Sequence, residues 1–165
     1  MAVTRTNFEP KSNMLNVETR SIKLADPTLA NPQNADALVD GEWVIINADK
    51  KLARASDIAT PDDPAVAPSY PVWDEKGRTD NQAVRVKTII YLGMWEFDTD
   101  VFVATGMTHN GLVAVATVAI DGKSYSGLVA NGTFGTPGAG ITVGTITRLP
   151  AANGGRLRIR GGMHY

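Results

Sequence analysis

The alternation of apolar and polar positions is clearest between residues 84 and 103. Val84, Val86, Ile90 and Leu92 fall on one parity, and Arg85 and Lys87 on the other. Gly93 then marks a turn or bulge. Beyond it Trp95, Phe97, Thr99, Val101 and Val103 alternate with Glu96, Asp98, Asp100 and Phe102. A period of two predicts a strand with one apolar, buried face and one acidic face directed at solvent or a subunit. The run Leu112 to Ile120 is almost continuously apolar, broken by Thr117, and predicts a buried strand. Asp121-Gly122 is a hairpin signal, with Lys123 to Val129 as the returning strand. Ile141, Val143, Thr145, Thr147 and Leu149 alternate again, and Leu157 and Ile159 among Arg156, Arg158 and Arg160 give a last strand. Upstream, Glu42 to Ile46 and Lys51 to Arg54 flank the turn Asn47 to Lys50 and predict a hairpin.

Between these runs lie two loops without periodicity. Residues 56–69 hold Pro61, Pro64 and Pro68 with Asp57, Asp62 and Asp63; residues 131–140 are rich in Gly and Thr. About eight to ten short strands, Gly-rich turns and no helix of about ten residues predict an all-β fold. Its expected form is a compact antiparallel β-barrel or β-sandwich.

Residues 1–40 follow a different pattern. Asn recurs, Pro10, Pro27 and Pro32 each remove a backbone donor, and the apolar residues come singly. They are too few to close a core of their own. The expected organisation is an extended N-terminal arm, 1–40, before a β domain, 41–165, that opens at the turn Asp40-Gly41. Phe8, Met14, Leu15, Ile22 and Leu24 are candidate anchors on a neighbouring molecule. The alternatives are an arm wrapped on its own domain and a loosely tied terminus.

Composition removes several chemistries. The chain has 165 residues, 16 Lys+Arg against 17 Asp+Glu, and no cysteine. Thiolate metal sites, disulfides and cysteine nucleophiles are excluded, and a balanced charge argues against a nucleic-acid coat. No apolar window approaches 18 residues and the first ten residues have no apolar core, so neither a membrane span nor a secretion signal is expected. His109 sits in a loop and His164 is penultimate; Ser124 and Ser126 lack the G-x-S-x-G turn of a nucleophile elbow. Glu96, Asp98 and Asp100 share a strand face but lack a loop that wraps a cation such as Ca²⁺. Gly135 to Gly140 is followed by no Lys-Ser/Thr, so it is not a phosphate loop. No catalytic, cofactor or metal residue is therefore assigned.

Charge patterning is more informative than charge. Arg156, Arg158 and Arg160, with Arg148 nearby, line one strand face about 6.5–7 Å apart. Lacking interleaved aromatic residues, the row suits an acidic protein surface better than a single strand of nucleic acid. The acidic face of Glu96, Asp98 and Asp100 is an available complement, in this chain or in a symmetry mate.

Two stretches carry a family resemblance. One is Tyr70-Pro71-Val72-Trp73-Asp74-Glu75-Lys76-Gly77-Arg78-Thr79-Asp80-Asn81-Gln82-Ala83, followed by a strand and Trp95-Glu96-Phe97-Asp98-Thr99. The other runs from Ile146 through Thr147-Arg148-Leu149-Pro150 to Leu157. With Gly41 to Val44 and Lys51 to Arg54, they resemble virion structural proteins of tailed bacteriophages, specifically capsid decoration (cement) proteins. The resemblance spans about residues 41–157. It implies no enzymatic activity and no cofactor. It implies that the chain docks on the outer surface of the head and stabilises contacts between major capsid protein subunits. The chain would be made in the host cytoplasm and would self-associate as a dimer or trimer. Other readings are a tail, neck or fibre-base component and a single-strand nucleic-acid-binding β-barrel. Within the first stretch, Arg78 is expected to fix the polar turn by pairing with Asp74 or Asp80. Trp43, Trp73 and Trp95 are expected core residues.

Overall fold

A computed structural model describes residues 9–10, 15–31, 34–55, 69–73, 86–131, 142–151 and 155–163. The proline-rich loop, the polar turn with Arg78, most of the Gly-rich loop, Phe8, Met14 and His164 lie outside these residues. The described strands are β1 (Glu9–Pro10), β2 (Leu15–Lys23), β3 (Trp43–Ile46), β4 (Leu52–Arg54) and β5 (Ser69–Pro71). They continue with β6 (Val86–Thr99), β7 (Leu112–Ile120), β8 (Lys123–Ala130), β9 (Thr142–Arg148) and β10 (Leu157–Met163). One turn of 3-10 helix, Pro27–Ala30, is capped by Asp26, whose carboxylate accepts from the Thr28 amide.

Turn chemistry sets the hairpins. Asp121 and Gly122 both take positive φ, 51° and 77°, and join β7 to β8 in a register that runs from Ile120↔Lys123 to Val113↔Ala130. Two positive φ values give the primed turn whose twist matches that of the strands. Between β3 and β4, Lys50 takes φ 60° and Asn47 closes the turn by accepting from the Lys51 amide. The positions expected from the alternation for these strands agree closely with those observed.

Seven strands form one sheet in the order β1-β6-β10-β9-β7-β8, with β2 also paired to β6. The other sheet is β4-β3-β5. All named pairings are antiparallel. The all-β expectation is met in its sandwich-like form, not as a barrel: the sheets are not closed. A parallel bridge, Phe102↔Leu128, ties the chain beyond β6 to β8.

The strand β6 is continuous for 14 residues, so Gly93 (φ 107°) is a mid-strand irregularity and not a turn. Opposite it the β2 register slips on both sides of Glu18. The slip changes parity, which lets Ile90 and Trp95 face the same core.

The three-stranded sheet is buried on both faces. Trp43 and Ile45 point to a core with Trp95, Phe97, Leu128, Ile146, Leu157 and Ile159. Val44, Leu52 and Tyr70 point the other way, to Val72, Ile89, Leu24, Leu29, Ala30 and Leu38. Strands enclosed on both sides read as apolar runs without alternation, as Trp43-Val44-Ile45-Ile46 does. In β7 a third cluster buries Ala114 and Val118 with Val101 and Val129, while Leu112, Thr117 and Ala119 are exposed. The strand expected as buried is thus half exposed. Of the tryptophans, Trp43 and Trp95 are buried and Trp73 is half-buried against the same core.

The segment expected as an arm is extended, and its described part packs on its own chain. Residues 15–23 lie along β6, Leu24 bridges to Leu52, and residues 24–31 and 34–38 cover the small sheet. Leu24 is a buried core residue, which corrects its assignment as an anchor on a neighbour, and Ile22 packs against the same cluster. Leu15 lies in β2 opposite Met94.

Candidate docking face

The acidic and basic stripes meet on one face of the large sheet. In the antiparallel register of β6 and β10, Arg158 stands opposite Asp98 and Arg160 opposite Glu96. Trp95, Phe97 and Ile159, one residue out of phase, go to the core. Arg148 of β9 stands opposite Arg158, and a bulge between Arg158 and Ile159 leaves Thr147 as an extra residue on β9. That bulge brings both Thr147 and Arg148 onto the charged face.

The contacts are close. Arg158 donates from Nε to Asp98 Oδ1 at 2.7 Å and from Nη2 to Oδ2 at 3.1 Å, a bidentate pair. Arg148 Nη2 donates to the same Oδ2 at 2.8 Å. Thr147 Oγ1 donates to Glu96 Oε1 at 3.0 Å, while Arg160 Nη2 stays 3.7 Å from Glu96 Oε2, an ion pair without a hydrogen bond. Its hydrogen bonds to Asp98 raise the Arg158 pKa further above an already high value.

The acidic face is therefore not solvated. Glu96 is 5% and Asp98 3% exposed, because the arginines lie over them. A buried carboxylate is costly unless it is paired and hydrogen-bonded, and both conditions hold here. Of the two expected locations for the complement to the arginine row, the described structure has the one in the same chain. Asp100 follows β6 and is half-buried, and Arg156 precedes β10 and is half-buried; neither appears in these four contacts. On the outside, the side chains of Arg148 and Arg160 are 51% and 55% exposed. Met94, two residues before Glu96, and Leu112, in register with Thr145 and so with Arg160, are 50% and 49% exposed.

A second charged node has no counterpart in the sequence reading. Glu42 is fully buried and its carboxylate accepts from Arg54 Nε at 2.8 Å and Nη2 at 3.1 Å, from the Val39 amide and from the Ser126 amide. Arg54 also donates to the Asp36 carbonyl. One carboxylate thus ties the covering segment and the small sheet to β8. The available signal was a pair of opposite charges near the same end of the predicted hairpin.

The residues weighed for catalysis are placed separately. His109 is exposed in the loop before β7, Ser124 is exposed, and Ser126 is buried beside Glu42. Among the described residues no group of three or more His, Asp or Glu is placed to hold a metal ion. No family model, curated protein or solved structure matches the chain.

Proposed function

We propose that the chain is a non-enzymatic capsid decoration protein that docks on the outer surface of a tailed-phage head and stabilises contacts between major capsid protein subunits. The resemblance of residues 41–157 to that family supports the reading. The observation that carries it is the outer face of the large sheet. There the arginines are held in place from below by buried carboxylates, and Met94 and Leu112 are exposed on the same face. Arginine and methionine are enriched where proteins meet proteins. A pre-ordered face loses little side-chain entropy on docking, and many symmetric copies turn modest affinity into retention.

The test is co-sedimentation of the purified chain with expanded heads that lack it. Saturable binding at a fixed ratio to the major capsid protein is expected. Failure to co-sediment at low salt overturns the reading, and binding confined to tails or necks replaces it with a tail component.

A further inference from the structure

We propose that the outer face of the large sheet captures an extended acidic segment of its protein partner, with alternate residues in the order carboxylate, carboxylate, apolar. The proposal rests on the docking reading above and names the partner's chemistry.

The face is built in rows across the strands. The first row is Glu9, Asp98, Arg158 and Arg148 on β1, β6, β10 and β9. The second is Glu96, Arg160, Thr145 and Leu112, reaching β7. The third is Leu15, Met94 and Gly162 on β2, β6 and β10. Rows on one face repeat every two residues, about 6.5–7 Å, the same repeat as alternate residues of an extended chain. A segment lying along β10 therefore meets one row with each alternate side chain.

The first two rows select carboxylates. Three arginines stand over Asp98 and Glu96, and Glu9 of β1 is in register with Asp98, so the rows balance in charge and what they offer a partner is the arginines' spare donors. Asp98 is fully engaged by Arg158 and Arg148, yet Arg148 uses only Nη2 and keeps its other N–H donors. Among the described residues Arg160 makes no side-chain hydrogen bond, so all five of a guanidinium's donors remain for a partner. Charge-assisted bonds from such donors are the strong kind. The third row selects an apolar side chain, because Met94 is half exposed and stands opposite a glycine. These rows present no aromatic ring on which a base could stack, which favours a protein segment over a nucleic acid.

The test is an NMR titration of the full chain with a capped peptide, Thr-Asp-Thr-Asp-Thr-Leu, against its Asn counterpart and an oligo-dT strand. The Asp peptide is expected to shift the side-chain signals of Arg148 and Arg160, and to bind about tenfold more tightly than the Asn peptide at low salt. Arg160→Gln, which removes no hydrogen bond among the described residues, should weaken it about threefold, and Arg148→Gln/Arg160→Gln about tenfold. Equal binding of both peptides, indifference to Arg160→Gln, or tighter binding of oligo-dT overturns the proposal. If the wild-type chain and Arg148→Gln/Arg160→Gln bind heads equally well, this proposal fails while decoration stands. If the peptide is captured through these arginines but wild type never binds heads, decoration fails while the acidic-segment chemistry is supported.

Discussion

Removing one half of the Glu42–Arg54 pair leaves the other half buried. Arg54→Met deprives the Glu42 carboxylate of two donors and leaves it the Val39 and Ser126 amides. The expected loss is about 3–5 kcal/mol in urea unfolding, with an unchanged m-value. A loss of about 1 kcal/mol or less would mean that solvent reaches the site. Tyr70 makes stability depend on pH. Burial, then the neighbouring Tyr91, raises its pKa above 10.0, and Arg20 partly opposes this. A raised folded-state pKa contributes stability that is complete below the unfolded value and is lost as pH rises through the folded one. Melting temperature should therefore fall above about pH 10, and Tyr70→Phe should flatten that alkaline limb relative to wild type. At this scale the pairing of Arg158 with Asp98 was half legible: strict alternation placed each charge on a strand face, but not which strands were neighbours. Glu42 was only faintly legible: its charge and that of Arg54 sit near the same end of the predicted hairpin, but one charge at the head of an apolar run has no period.

At the scale of elements, short-range chemistry was the more readable part. Asp121-Gly122 specifies its own turn, and the hairpin is found where the dipeptide put it. The strand β2 was not recognised, because its exposed residues Glu18, Thr19, Arg20, Ser21 and Lys23 obscure any buried face. It is an edge strand whose Glu18–Arg20 pair and Arg20–Tyr91 contact lie on the surface. The bulge that turns Thr147 onto the charged face also left no mark in a Thr-rich alternation. Glycine placement in β9 and β10 has a packing reason. The Trp95 ring lies across Gly161 and Gly144, and a Cβ on Gly161 would come 2.4 Å from the ring and 2.5 Å from the Val143 carbonyl. Gly161→Ala should therefore cost about 1–3 kcal/mol in thermal or urea unfolding and move the Trp95 fluorescence. An unchanged variant would place that ring elsewhere.

For the whole molecule, β3 of the small sheet turns its opposite faces to two cores, and residues 24–31 and 34–38 close the second. Deleting residues 1–40 should therefore abolish cooperative unfolding, because it removes β2 with Leu24, Leu29, Ala30 and Leu38. A truncated chain that melts as sharply as the full one would show the covering segment to be dispensable. Long-range pairing of this kind was not readable from local patterns, which fixed the all-β class while leaving barrel and sandwich open. The same organisation leaves the large sheet's arginine face directed outward. The most direct test of its role is a cryo-EM reconstruction of expanded heads incubated with the full chain. Density is expected at every symmetry-equivalent position between major capsid subunits, with Arg148 and Arg160 turned toward the shell. Bare heads, or density confined to a single vertex or the tail, would contradict it.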